Sequence, residues 1–114
     1  MDITIKNLED YLFHHYGGRA NEQGMFMKLV EEMGEVAEIL NKRAGRKAAE
    51  GDDLHQELAV ELADVIHYTV AIAAINGIDL TGTILEKDKN ASVKYHHDIN
   101  LETFLSRNEK EQNH

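Results

Sequence analysis

The chain has 114 residues, 42% apolar and 29% charged, and carries a formal net charge of −9 from 21 acidic and 12 basic side chains. That length suits one domain, 1–114, with a single modest core, and the acidic balance argues against non-specific binding to nucleic acid or to an anionic membrane. With no cysteine there is neither a disulfide framework nor a thiolate metal site; with no basic-then-apolar leader and no unbroken apolar run of bilayer length, the expectation is a cytoplasmic protein.

Proline is absent and the long segments show helical rather than alternating periodicity. A first helix is expected from Ile5 to Tyr16, closed by Gly17-Gly18, and a second from Glu22 to Arg43, ending before Gly45. Ala44 to Asp52 reads as a mobile polar loop. Asp53 has the character of an N-cap, with Gln56 completing a capping box, for a third helix that ends at Asn76-Gly77. Asp79 caps a fourth, Leu80 to Tyr95, and "NLETFLSRNEKEQ" makes a last short helix. The fold class that follows is all-α: an antiparallel, four-helix bundle-like domain with a short C-terminal helix.

On a wheel at about 100° per residue, the second helix has one apolar sector that includes Met25, Phe26, Val30, Met33 and Leu40. The third is different. Leu54, Leu58, Leu62, Val65, Ile66, Val70, Ile72 and Ile75 cover most of its circumference, and a helix apolar all round is a buried one. A chain this short has too few other helices to wrap it, so a homo-oligomer, at least a dimer, is expected.

Four acids interrupt these greasy surfaces. Glu61 and Asp64, three apart on the third helix, share a face with Tyr68 and Ile72. Glu32 and Glu35 repeat the spacing on the second helix, with Glu32 flanked on the wheel by Met25 and Ile39. An isolated buried carboxylate costs several kcal/mol or takes up a proton. Antiparallel packing of the two helices along these edges makes the four converge, and neither helix supplies a cluster of arginines to neutralise them. A divalent cation would, and hard oxygen ligands favour Mg²⁺ or Mn²⁺. Glu38 and Glu57 read as solvated or salt-bridged surface.

"KLVEEMGEVAEIL" (Lys28 to Leu40) and "ELADVIHYTVAIAAINGIDL" (Glu61 to Leu80) together resemble the MazG-like branch of the all-α nucleoside triphosphate pyrophosphohydrolases. The motif E-E-x-x-E, spacer, E-x-x-D appears as Glu31-Glu32-Met33-Gly34-Glu35 and Glu61-Leu62-Ala63-Asp64. The resemblance covers Lys28 to Tyr95. It implies an oligomeric bundle that hydrolyses nucleoside triphosphates to monophosphate and pyrophosphate, and by analogy a housecleaning role in the nucleotide pool. It also implies Mg²⁺ on Glu32, Glu35, Glu61 and Asp64, and Glu31 as general base. Substrate phosphates would meet Lys87, Asn90, Lys94 and Tyr95 of "EKDKNASVKY", with Lys28 a further substrate contact. Lysine stands where the family commonly has arginine, giving a point charge in place of a bidentate fork. Lys87 also lies three rather than four residues before Asn90.

The chemistry of the residues agrees with that implication. Phosphoanhydride hydrolysis needs neutralised phosphoryl oxygens, a positioned water and a stabilised leaving group. Glu31 lies about 100° round the helix from Glu32, so it borders the site as a plausible base and a poor ligand. Three other readings compete. One is phosphoribosyl-ATP pyrophosphohydrolase, a smaller relative that the segment after Lys87 fits less well. A second is a ferritin-like di-iron carboxylate protein, suggested by Asp64-Val65-Ile66-His67, although that architecture needs two carboxylate-x-x-histidine pairs. The third is a non-catalytic helical interaction module. His67 itself reads as a core or interface residue, and His14-His15 and His96-His97 as helix-end surface.

Overall fold

The computed structural model describes residues 1–17, 21–45 and 53–112. Among them are five helices and no strand: α1 (Ile5–Tyr16), α2 (Glu22–Arg43), α3 (Leu54–Ile75), α4 (Leu80–Lys94) and α5 (Leu101–Gln112). Two compact units divide the chain, Met1–Ile78 with α1 to α3 and Asp79–His114 with α4 and α5. Gly18 and residues 46–52 of the expected loop lie outside the described residues.

Short polar side chains start each helix by taking up amide groups that have no partner within it. Thr4 and Asn7 form a reciprocal capping box at α1, with Asn7 N donating to Thr4 Oγ1 at 2.9 Å and Thr4 N to Asn7 Oδ1 at 3.2 Å. Asn21 Oδ1 accepts from Gln23 N and Gly24 N at the start of α2. Asp53 accepts from Gln56 N at 3.1 Å, and Asp79 from Gly82 N at 3.3 Å. Losing one such cap costs about 1 kcal/mol. At the other end of α3, Gly77 takes a left-handed φ of 66° while Ile78 N reaches back to Ala73 O, which closes the helix. α4 ends the same way, with His96 (φ 58°) where glycine is usual. Tyr95, expected as its last residue, is the C-cap.

In the first unit α3 is the central element, and both α1 and α2 pack on it. Leu12 of α1, Met25 and Ile39 of α2, and Val70, Ala71, Ala73 and Ala74 of α3 are buried. The alanines in the C-terminal half of α3 let its neighbours approach closely. Asn76 Nδ2 donates to Glu22 Oε1 at 2.7 Å, so the C-terminus of α3 meets the N-terminus of α2 and the two run antiparallel.

The expected apolar sector of α2 is split into two edges. Met25, Leu29, Glu32, Val36 and Ile39 are buried or half-buried, while Phe26, Val30, Met33, Ala37 and Leu40, one position on in each case, are exposed. On α3, likewise, Val60, Leu62 and Ile66 are exposed. α3 reaches a mean hydropathy of 1.7 over its most apolar 18-residue window, enough by length and composition alone to cross a membrane. Its row of acids and its place between two amphipathic helices suit the central helix of a helical layer better.

Candidate metal centre

Glu32 occupies a position on the inner edge of α2 that would otherwise hold an apolar residue, with Leu29 and Val36 one turn either side. The antiparallel neighbour presents Glu61 and Asp64 there. One oxygen from each of Glu32, Glu61 and Asp64 lies within 4.8 Å of the others, and all three residues are half-buried. Glu35, one turn along α2 and more exposed, extends its carboxylate to Glu61. The two pairs thus meet across the α2–α3 seam, three carboxylates in a tight group and the fourth beside it.

The electrostatic consequence falls on Glu61. Hydrogen bonding with Glu32, then with Glu35, pushes its carboxyl up to about 8; desolvation and repulsion by the same two acids add to the shift. Glu61 Oε2 is shielded from solvent, and among the described residues no donor side chain or amide reaches it. A proton is the least neutralisation that such a group can accept, and a cation would replace it with more charge. The cluster could therefore hold a metal ion, and its donors are all hard oxygens.

Glu31 points elsewhere. Its carboxylate lies 3.3 Å from Lys28 Nζ, an i,i+3 pair with both side chains more than half exposed. That bond is the main reason that the Lys28 ammonium is held above its ordinary pKa; the charges of Glu31, Tyr68 and Glu32 contribute too. Glu31 is thus outside the group formed by Glu32, Glu61 and Asp64 but on the adjoining strip of the same helix.

Two features escape sequence reasoning. Glu57, expected at the surface, is half-buried, and its Oε2, like that of Glu61, is shielded and without a hydrogen-bond donor among the described residues. The available signal was its spacing: four residues before Glu61, it falls on the same edge of α3. Second, Tyr16 Oη lies 2.7 Å from His67 Nε2, the two rings meeting edge-on, and Tyr68 packs against His67 in turn. Nothing in the spacing of α1 announces that bond. It engages His67 with a phenol, and among the described residues the three-acid cluster contains no histidine.

Lys87, Asn90, Lys94 and Tyr95 all belong to the second unit. Lys87 and Asn90 line a surface groove of about 310 Å³ with Thr83 and Glu86. On its other side Asn90 borders a groove of about 440 Å³ that reaches Glu102 of α5. Asp88 Oδ2 accepts from Leu101 N at 2.6 Å and so ties the start of α5 to α4. Lys94 Nζ sits 5.4 Å from the centre of the Tyr95 ring, within cation–π range.

The family model of the MazG nucleotide pyrophosphohydrolase domain matches residues 20–94, which takes in both acidic pairs and all of α4. No curated protein and no solved structure matches the chain.

Proposed function

The chain belongs to the MazG nucleotide pyrophosphohydrolase family, and on that footing we propose that it hydrolyses a nucleoside or deoxynucleoside triphosphate to the monophosphate and pyrophosphate, using Mg²⁺ or Mn²⁺. One observation carries the metal-dependent reading: three carboxylate oxygens lie within 4.8 Å of one another, in a seam where no donor among the described residues reaches Glu61 Oε2. The donor set fits a hard divalent ion.

Glu32, Glu61 and Asp64 would hold the ion, with Glu35 as fourth ligand. When bound, it would neutralise charge on the phosphoryl oxygens and acidify a water close by. Glu31, on the strip beside the cluster, would take the water's proton. Lys28 tethers that carboxylate through a solvent-exposed contact, weak enough to yield when a phosphate competes for the ammonium. Lys87, Asn90, Lys94 and Tyr95 would bind the phosphate chain, the lysines as point charges and Asn90 through its amide.

The apolar edges exposed on α2 and α3 support a homo-oligomer, dimer or tetramer. A cytoplasmic role in clearing unwanted nucleotides is the family analogy that goes with this chemistry. The di-iron reading loses support from the all-oxygen donor set and from the pairing of His67 with Tyr16.

The test is a panel of nucleoside and deoxynucleoside triphosphates incubated with the purified protein and Mg²⁺. Monophosphate and pyrophosphate should appear in equal amounts, and EDTA should abolish both. Release of orthophosphate and a diphosphate would refute the cleavage position, and EDTA-resistant turnover would refute the metal.

A further inference from the structure

α3 and α4 end in the same hydrogen-bonded turn. At α3, Gly77 N donates to Ala74 O at 3.2 Å and Ile78 N to Ala73 O at 2.9 Å. At α4, His96 N donates to Val93 O at 3.4 Å and His97 N to Ser92 O at 2.9 Å. Both turns need a left-handed residue just past the C-cap, and φ is 66° at Gly77 and 58° at His96. The other positive φ values among the described residues, at Gly17 and Gly45, also follow helices and also belong to glycine. At His96 the Cβ crowds the following carbonyl oxygen. Histidine bears that conformation better than most residues, but glycine bears it with no crowding at all.

Packing does not explain the choice. His96 is exposed, and the ring contact at this turn joins Tyr95 to His97 instead. Nor does the helix need another cation there, because Lys94 already stands in the last turn of α4 and complements its carbonyl end. The company that His96 keeps is more telling. The rings of Tyr95 and His97 lie 6.3 Å apart and within 28° of parallel, and Lys94 Nζ is 5.4 Å from the centre of the same Tyr95 ring. The left-handed step at His96 is what folds His97 back onto Tyr95. Residues 94–97 thus gather an ammonium, a phenol and two imidazoles with no acid among them, in a chain of net charge −9. Such a group of donors suits a polyanion.

We infer that His96 is a further contact for the substrate's phosphate chain, its imidazole N–H donating to a phosphoryl oxygen beside Lys94. The backbone strain is retained for that contact. This rests on the reading above that Lys94 and Tyr95 meet the phosphates, and adds to it a residue whose loss makes the fold more stable and binding weaker.

Two variants separate the backbone from the ring. His96→Gly removes both the crowding and the imidazole; His96→Ala keeps the crowding and removes the imidazole. The melting temperature should rise by roughly 4–8 °C in the first and stay at or below native in the second. Affinity for inorganic tripolyphosphate with Mg²⁺, measured by calorimetry, should fall about tenfold or more in both. KM for the triphosphate hydrolysed best should rise in step, with kcat held within about twofold. If His96→Gly melts no higher than the native chain, there is no strain to explain and the inference fails. A higher melting temperature with unchanged tripolyphosphate affinity and KM makes His96 a tolerated residue and overturns the contact. A raised KM with unchanged tripolyphosphate affinity overturns it too, by assigning His96 to the nucleoside. A native chain that neither hydrolyses a triphosphate nor binds tripolyphosphate overturns the proposed function itself, and this contact with it.

Discussion

The hydroxyl of Tyr16, the last residue of α1, lies 2.7 Å from Nε2 of His67 in the middle of α3. His67 is three residues past Asp64, so this bond ties α1 to the helix segment that carries half of the acidic cluster. Burial, then the neighbouring Tyr68 and Tyr11, raise the Tyr16 pKa, which keeps the phenol neutral at ordinary pH.

Tyr16→Phe removes that hydroxyl and leaves His67, half-buried, without it. The expected cost is about 1 kcal/mol, seen as a fall of roughly 4–8 °C in melting temperature. Mn²⁺ affinity should stay within about threefold, because the ligands themselves are untouched. Thermal unfolding in EDTA and a calorimetric Mn²⁺ titration measure the two effects. An unchanged melting temperature would mean that His67 finds an equivalent partner in water.

Glu61 gives a pH dependence with a definite sign. Its carboxyl holds a proton up to about 8 in the fold, against an ordinary value of 4.5. Between these values the folded chain binds more protons than the unfolded one, so metal-free stability falls as pH rises through that window. Over the same range a bound cation must displace the proton, so Mn²⁺ affinity should climb with pH and level off above about 8. Melting curves in EDTA from pH 5 to 9 should slope downward for the native chain and flatten for Glu61→Gln. An equal slope in the variant would assign the effect to other groups.

Asp64→Asn removes a charge from the same crowded seam. Metal affinity and turnover should fall together by at least about 100-fold if Asp64 is the ligand proposed above, since its neighbours then have less to hold the ion with. The metal-free fold should melt no lower than the native chain and can melt higher, because one like charge fewer is confined beside Glu32 and Glu61. A large loss of metal-free stability would instead make Asp64 a structural acid with a partner that it needs.

The helices were legible because local chemistry sets their ends. Asn21, Asp53 and Asp79 are strong caps, Gly77 a strong stop, and no proline disturbs the pattern between them. The meeting of Glu32 with Glu61 and Asp64 was legible for another reason. Acids on apolar edges of two successive helices have one low-energy way to pack, and that way brings them together. What periodicity could not show was how the second helix divides its apolar surface. Phe26 and Met25 look alike on a wheel, yet one is exposed and the other buried, because a single neighbouring helix covers only one edge. Glu57 and the Tyr16–His67 bond escaped for a related reason: both depend on which residue of another helix comes opposite, and wheels carry no such register.

Glu31 and Asp64 should separate by role. Glu31 stands about 100° round α2 from Glu32, engaged by Lys28 at 3.3 Å and more than half exposed, so a Gln there leaves the three clustered oxygens as they are. Mn²⁺ affinity of Glu31→Gln should remain near native while kcat falls by about 10²–10⁴, the usual cost of losing a general base. Lys28→Met, which frees the Glu31 carboxylate, should lower kcat far less and should act mainly on KM if the ammonium also meets substrate phosphate. Glu38→Gln, two turns beyond Glu31 on α2 and outside the acidic cluster, serves as the reference for loss of an acid elsewhere on the helix. Calorimetric Mn²⁺ titration beside steady-state kinetics decides among these roles. If Glu31→Gln loses metal as severely as Asp64→Asn, Glu31 is a ligand, and the proton acceptor must be sought among the other acids of the seam, beginning with Glu35 and the shielded Glu57.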